Sequence, residues 1–208
     1  AYFSFGWSRF QRGPMSPTLE NEAVRVSNTA TDGGNFTITA PTSGNLLVII
    51  HGYFWSGAGA DQPAATDFTW RAQGGNASTE VVQAILDKIA TGSEGTTIAV
   101  TNGGVSQECS GWIGEYSGMT ATPFVAAIGS DASTSNVETL ASGTVDTTGT
   151  ADTLLIAGLG RSTENSPSSF SWSNSFSQIN TVTGDLGGND HATNVATRVV
   201  SSASTYST

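Results

Sequence analysis

Two histidines, one cysteine and a few carboxylates are the side chains of this 208-residue chain best suited to chemistry. His51 follows the apolar run Leu47-Val48-Ile49-Ile50 and precedes Gly52, a strand and His-Gly step of the kind that opens an oxyanion hole beside a serine nucleophile. That chemistry needs a Gly-x-Ser-x-Gly elbow, and the chain has none. The runs beginning Gly104-Val105-Ser106 and Gly160-Arg161-Ser162 both lack the final glycine. His51 therefore reads as a strand-end residue. His191 ends the run Asp185-Leu186-Gly187-Gly188-Asn189-Asp190, which mixes oxygen and imidazole donors around a tight turn but has no defined calcium-ligand spacing. Two histidines and the lone Cys109 cannot close a zinc site. Glu108 and Glu115 are the carboxylates available for a glycosidase pair, although each sits in a turn or strand-end pattern that explains it structurally. The expectation is no enzyme, no catalytic residue, no metal and no cofactor.

Two aromatic groups are better suited to binding. Tyr2, Phe3, Phe5, Trp7 and Phe10 crowd five aromatic rings into ten positions, interleaved with Arg9 and Arg12. Aromatic and arginine enrichment is the composition of an interface core. Residues 1–30 are thus read as an arm that either docks onto a neighbouring subunit or forms the first strand of the chain's own sandwich. Tyr53 and Trp55 open a Gly- and Ala-rich loop, the placement that carbohydrate-binding sandwiches use for stacking on sugars.

Composition narrows the classes further. The formal net charge is −10, with a single lysine, Lys88, and six scattered arginines. A nucleic-acid binder must neutralise phosphates with clustered basic residues, so no nucleic-acid partner is expected. No apolar run reaches the length of a membrane-spanning helix, and no membrane partner is expected either. Serine and threonine exceed a quarter of the residues, while charged residues contribute 12% and hydrophobic ones 37%. Such a chain folds around a core and presents a smooth, hydroxyl-rich, acidic surface.

The elements that must position these residues are strands. Phe36-Thr37-Ile38-Thr39 and Thr97-Ile98-Ala99-Val100-Thr101 alternate at period two. Leu46 to Ile50 is continuously apolar, as suits a strand covered on both faces, and Leu154 to Ala157 repeats it. Trp112 to Tyr116 and Phe124 to Ile128 are further strands. Val81, Val82, Ile85, Leu86 and Ile89 fall at helical spacing, but the corresponding Val195 to Val200 is β-branched, so this segment is also assigned as strand. The whole predicts an all-β fold, a β-sandwich or jelly-roll-like domain over residues 31–208 with an internally repeated strand pattern.

That repeat has halves of about 35–130 and 131–208. Phe68-Thr69-Trp70 matches Phe170-Ser171-Trp172 in it, and Trp70, Trp112 and Trp172 read as core. The second half ends at Thr208 without counterparts of Thr97 to Thr101 and of Trp112 to Ser117. An open sheet edge there would need filling by further chain, by the N-terminal arm or by a strand from a neighbour.

The order of these motifs, Leu46-Leu47-Val48, the Phe-x-Trp step, Lys88-Ile89-Ala90-x-Gly92-Ser93-Glu94-Gly95-Thr96-Thr97, Glu115-Tyr116-Ser117-Gly118 and Thr150-Ala151-Asp152-Thr153-Leu154-Leu155, resembles β-sandwich structural modules of tailed-phage virion proteins and some bacterial surface proteins. The resemblance covers roughly residues 35–208. It implies a non-enzymatic virion protein: a capsid decoration or cement protein, or as a close variant a tail or fibre component. Its partners would be the major capsid protein or neighbouring copies, in a homo-oligomer, with Tyr2, Phe3, Phe5, Trp7, Arg9, Phe10 and Arg12 as contacts. From another class, the alternative is an extracellular or cell-surface adhesion module that binds glycans through Tyr53 and Trp55.

Overall fold

The computed structural model describes residues 2–12, 15–31, 33–54, 62–74, 81–104, 107–133, 145–146, 153–163, 171–183, 190–201 and 205–206. Among them every regular element is a strand, and no helix is long and apolar enough to cross a membrane. The strands of the first half are β1 (Tyr2–Arg12), β2 (Thr18–Thr31), β3 (Gly34–Thr37), β4 (Leu46–Phe54), β5 (Ala64–Ala65), β6 (Thr69–Gly74), β7 (Val81–Ile89) and β8 (Thr97–Thr101). Those of the second are β9 (Gln107–Ser117), β10 (Met119–Ser133), β11 (Val145–Asp146), β12 (Thr153–Thr163), β13 (Ser177–Thr183), β14 (Asp190–Val200) and β15 (Thr205–Tyr206). The segment with helical spacing is strand β7, as its β-branched counterpart implied.

Two five-stranded antiparallel sheets form the sandwich. Sheet I runs β10-β1-β12-β14-β13 and sheet II runs β2-β9-β4-β7-β6. Between them lie Phe10, Leu46, Val48, Ile50, Trp112, Leu154, Ile156 and Val195. A smaller sheet, β3-β8-β5, covers the opposite face of sheet II and encloses Phe36, Leu47, Ile49, Leu86, Ile98 and Ile113. This third layer explains the continuous apolar run of β4. Its odd and even residues each face a core, so eight of its nine residues are buried. β8, covered on one face alone, keeps the plain alternation of a half-buried strand.

The repeat is real, and its frame begins earlier than the sequence suggested. Replacing β10, β1, β12, β14 and β13 in sheet I by β2, β9, β4, β7 and β6 reproduces sheet II in order. β11 pairs with β15 as β3 pairs with β8. Each repeat therefore starts with a strand that contains Gly-Trp, Gly6-Trp7 in β1 and Gly111-Trp112 in β9, but the pairing sets the two steps one residue out of register, with Gly6 in the place of Trp112. Of the two strands expected after Thr208, the counterpart of Thr97 to Thr101 is β15, which already lies before that residue, and the counterpart of Trp112 to Ser117 is β1. It lies beside β12, with Tyr2 opposite Ser162 and Phe10 opposite Leu154, just as β9 lies beside β4 with Tyr116 opposite Leu46. Residues 1–30 are accordingly no separate arm: β1 is an inner strand of sheet I and β2 an edge strand of sheet II.

The Phe-x-Trp match is also displaced. Phe68 follows Asp67 in the left-handed conformation and donates its amide to Ala65 O, while Phe176 follows left-handed Ser175 and donates to Ser173 O. The counterpart of Phe68 is thus Phe176, and Trp70 has no equivalent in Trp172. Trp70 stands 36% exposed, which corrects its reading as core. Trp112 is fully buried, and Trp172 packs at the edge of a cluster with Leu155, Ala157 and Phe176 on the outer face of sheet I.

Candidate functional site

The aromatic arm is where sequence and structure differ most in functional terms. β1 is hydrogen-bonded on both sides, to β10 and to β12, so neither of its edges is open to another chain. Arg9 is 4% exposed and Phe10 is fully buried, with its ring edge-on to Phe124 at 6.2 Å. Arg9 and Phe10 are therefore internal rather than partner contacts. The side chains of Tyr2, Phe3, Phe5, Trp7 and Arg12 lie outside the described residues, though their backbone belongs to the same inner strand.

Tyr53 is likewise no sugar platform. It is fully buried at the end of β4, clustered with Val82 and Cys109, because the alternation that brings Leu47 and Ile49 under the third layer continues to position 53. Trp55 falls outside the described residues. Glu108 and Glu115 lie seven residues apart on β9 and project to opposite faces, roughly 23 Å from each other along the strand. That is well beyond the separation of paired glycosidase carboxylates, at most about 9.5 Å. Glu115, 4% exposed, accepts hydrogen bonds from Thr42 N at 2.8 Å and Asn45 Nδ2 at 2.7 Å and ties the turn before β4 to β9.

His51 is buried in the middle of β4 rather than at a strand end, and its Nε2–H donates to Asn102 Oδ1 at 2.7 Å between sheet II and the third layer. His191 opens β14 and faces the other way, into the space between sheets I and II. Here four fully buried polar side chains from three strands converge: Gln83 of β7, Ser110 of β9, and His191 and Thr193 of β14. Ser110 Oγ lies 2.6 Å from His191 Nδ1 and 2.8 Å from Thr193 Oγ1, which donates to Gln83 Oε1 at 3.3 Å. Burial, assisted by the charge that His51 can carry, pushes His191 down to about 3, so its ring is neutral. Gly52 makes the room. A Cβ built there would stand 2.2 Å from His191 Cε1 and 2.7 Å from both Gln83 Oε1 and His191 Nε2.

Among the described residues His191 Nε2 and Gln83 Nε2 have no hydrogen-bond partner. An unpaired buried polar group costs about 1–3 kcal/mol, so this cluster is kept against a local energetic penalty. Sequence reasoning missed it because the partners are 81 to 110 residues apart and each alone looks like an ordinary strand residue. The one local signal was glycine at position 52 in an otherwise bulky apolar strand.

A second polar cluster closes the other end of the sandwich. Arg71 grips Asp87 through Nε and Nη2 and lays its guanidinium 3.8 Å from the centre of the Phe124 ring, joining sheet II to β10. Burial pushes the Asp87 carboxyl up, against the pull of Arg71. Lys88 pairs with Glu94 at 3.0 Å. Desolvation works against the Glu94 charge, but hydrogen bonds from Thr91 and Lys88 outweigh it and hold the carboxyl down to about 2. Asp67, Thr69, Asp87, Lys88 and Phe124 line an open groove of about 530 Å³ here, in which the cations are already engaged by carboxylates. No group of three or more His, Cys, Asp or Glu that could hold a metal ion occurs among the described residues.

Comparison of the chain with protein families, with curated proteins and with solved structures returned no match.

Proposed function

We propose that this chain is a non-enzymatic structural protein of a tailed-phage particle, a capsid decoration or cement protein, with a tail or fibre component as the close variant. The particle is inferred from the resemblance in motif order over residues 35–208. The observation that carries the non-enzymatic part is the use made of the reactive side chains. His51, Ser110, His191, Glu115 and Asp87 are each buried and tie one layer or turn to another. Of these five, only Asp87 borders an open groove, and its carboxylate is already held there by Arg71. A protein whose polar chemistry is turned inward in this way is built to hold shape.

With β1 inside sheet I, contact with capsid or neighbouring copies falls to the outer surface, which is acidic and rich in hydroxyls. A net charge of −10 keeps free copies apart in solution and makes docking dependent on a complementary surface and on ionic strength. The test is the position of this polypeptide in density maps of purified particles, paired with mass spectrometry of their protein content. Copies arrayed on the capsid or tail are expected. Absence from purified particles, with the chain found instead on a cell surface or free, would overturn the proposal.

A further inference from the structure

We propose that Thr193 and Gln83 become joined by an ester bond that the folded chain makes for itself, with Ser110 and His191 carrying the proton. The bond would staple sheet I to sheet II at a site unrelated to any particle surface.

The arrangement brings together a nucleophile, an acyl group and a proton acceptor. The nucleophile is the Thr193 hydroxyl and the electrophile the Gln83 carboxamide, facing each other across the core with 3.3 Å between their oxygens. A primary amide resists attack by an alcohol in water, but two groups fixed in contact react with effective molarities of about 10⁵–10⁸ M when their geometry is right. The base is His191, reached from Thr193 Oγ1 through Ser110 Oγ by two hydrogen bonds of 2.8 and 2.6 Å. Its burial keeps the imidazole neutral but leaves it a weak base, so it takes the proton only as the Oγ–Cδ bond forms. Gly52 lets the imidazole and the carboxamide converge on one point, which any other residue would occupy with its own Cβ.

The step balances without any co-reactant. Thr193 Oγ bonds to Gln83 Cδ, and the hydroxyl proton passes through Ser110 to His191 Nδ1. The tetrahedral adduct, in which Nε2 shares Cδ with the Thr193 oxygen, collapses: the Cδ–Nε2 bond breaks, and the nitrogen takes the proton back from the ring through Ser110 and departs as ammonia. Gln83 Nε2 has no partner among the described residues, so no hydrogen bond is lost when it leaves. All four side chains are fully buried, and the exclusion of water that keeps the amide from hydrolysis also protects the ester.

The full chain is purified and its intact mass compared with that of its sequence. The expected result is a deficit of one ammonia, together with a branched peptide in the digest that joins the Gln83 segment to the Thr193 segment and is opened by hydroxylamine. Thr193→Val and Gln83→Ala should each show no deficit, and His191→Phe should form the bond far more slowly or not at all. An unshifted mass in the unmodified chain without a branched peptide overturns the proposal, whether or not the variants fold. So does a deficit traced to a linear peptide at Asn102-Gly103, where succinimide formation also releases ammonia, or a branch that originates at Ser110.

Discussion

Replacing Phe10 by Ala tests whether the N-terminal strand belongs to the fold or to an interface. The ring is fully buried between the sheets among Leu46, Trp112, Leu154 and neighbouring core residues, and it meets Phe124 edge-on at 6.2 Å. Truncating a buried phenylalanine costs about 3–5 kcal/mol, made up of lost transfer energy and the cavity left behind. The ring pair adds about 0.5–1.5 kcal/mol to what the site loses, and Phe124 in turn carries the Arg71 guanidinium, so the upper half of that range is expected. Against a total stability of about 5–15 kcal/mol this is a loss of roughly a quarter or more. Urea unfolding of the isolated chain, followed by tryptophan fluorescence, would show it as a drop in midpoint at unchanged slope. A loss below about 1 kcal/mol in the isolated chain, accompanied by weakened assembly, would refute the placement of β1 in sheet I and restore the docking arm.

Two further outcomes follow from burial and charge. Trp112→Ala, which empties a buried site and removes the indole bond to Glu22 Oε2 at 2.6 Å, should cost about 3–5 kcal/mol by urea titration, whereas Trp70→Ala should cost about 1 kcal/mol or less. In acid, His191 remains neutral down to about pH 3 in the folded chain but binds a proton near 6.5 when unfolded, so stability should fall as pH drops from 6.5, by on the order of 3–5 kcal/mol at the foot of the window. Glu94, held down to about 2, adds to that loss between about pH 4.5 and 2, while Asp87, pushed up, opposes it. Thermal unfolding across pH 3–8 checks this, and a flat profile between pH 6.5 and 4 would count against the buried neutral ring.

What the sequence revealed was whatever a short stretch of chain decides. The unbroken apolar run of β4 announced two covered faces, the alternation in β8 announced one, and the turn before Thr97 ended where Gly95 adopts a left-handed φ of 73°. β7 was legible through its β-branched partner in the repeat, since a strand buried on both faces has no alternation to display. The repeat itself was visible but misframed. The strands that begin each unit, β1 and β9, match in sheet position, but their Gly-Trp steps are one residue out of register, and the nearby Phe170-Ser171-Trp172 imitated a match that belongs to Phe176. Pairings such as Phe10 with Leu154, and the four-residue polar cluster under Gly52, depend on contacts across more than 80 residues, and no local pattern encodes them. Aromatic density near the N-terminus could signal burial, but could not say whose core would receive it.

The position of β1 also has a consequence for how the protein is made. Tyr2–Arg12 is translated some 140 to 160 residues before Thr153–Thr163, the strand that flanks it in sheet I. At about 5–20 residues per second the ribosome leaves this aromatic segment without its neighbour for roughly 7–30 s. During that interval the first repeat can gather its own sheet, but the second cannot close, and folding waits on a pairing of high contact order. At high local concentration on a polysome, a waiting β1 can meet β12 of another nascent chain, and the product is a strand-exchanged dimer rather than a monomer. Slow release of the last strand, or a chaperone that shields the first, would then decide how much of the newly made protein reaches the closed form.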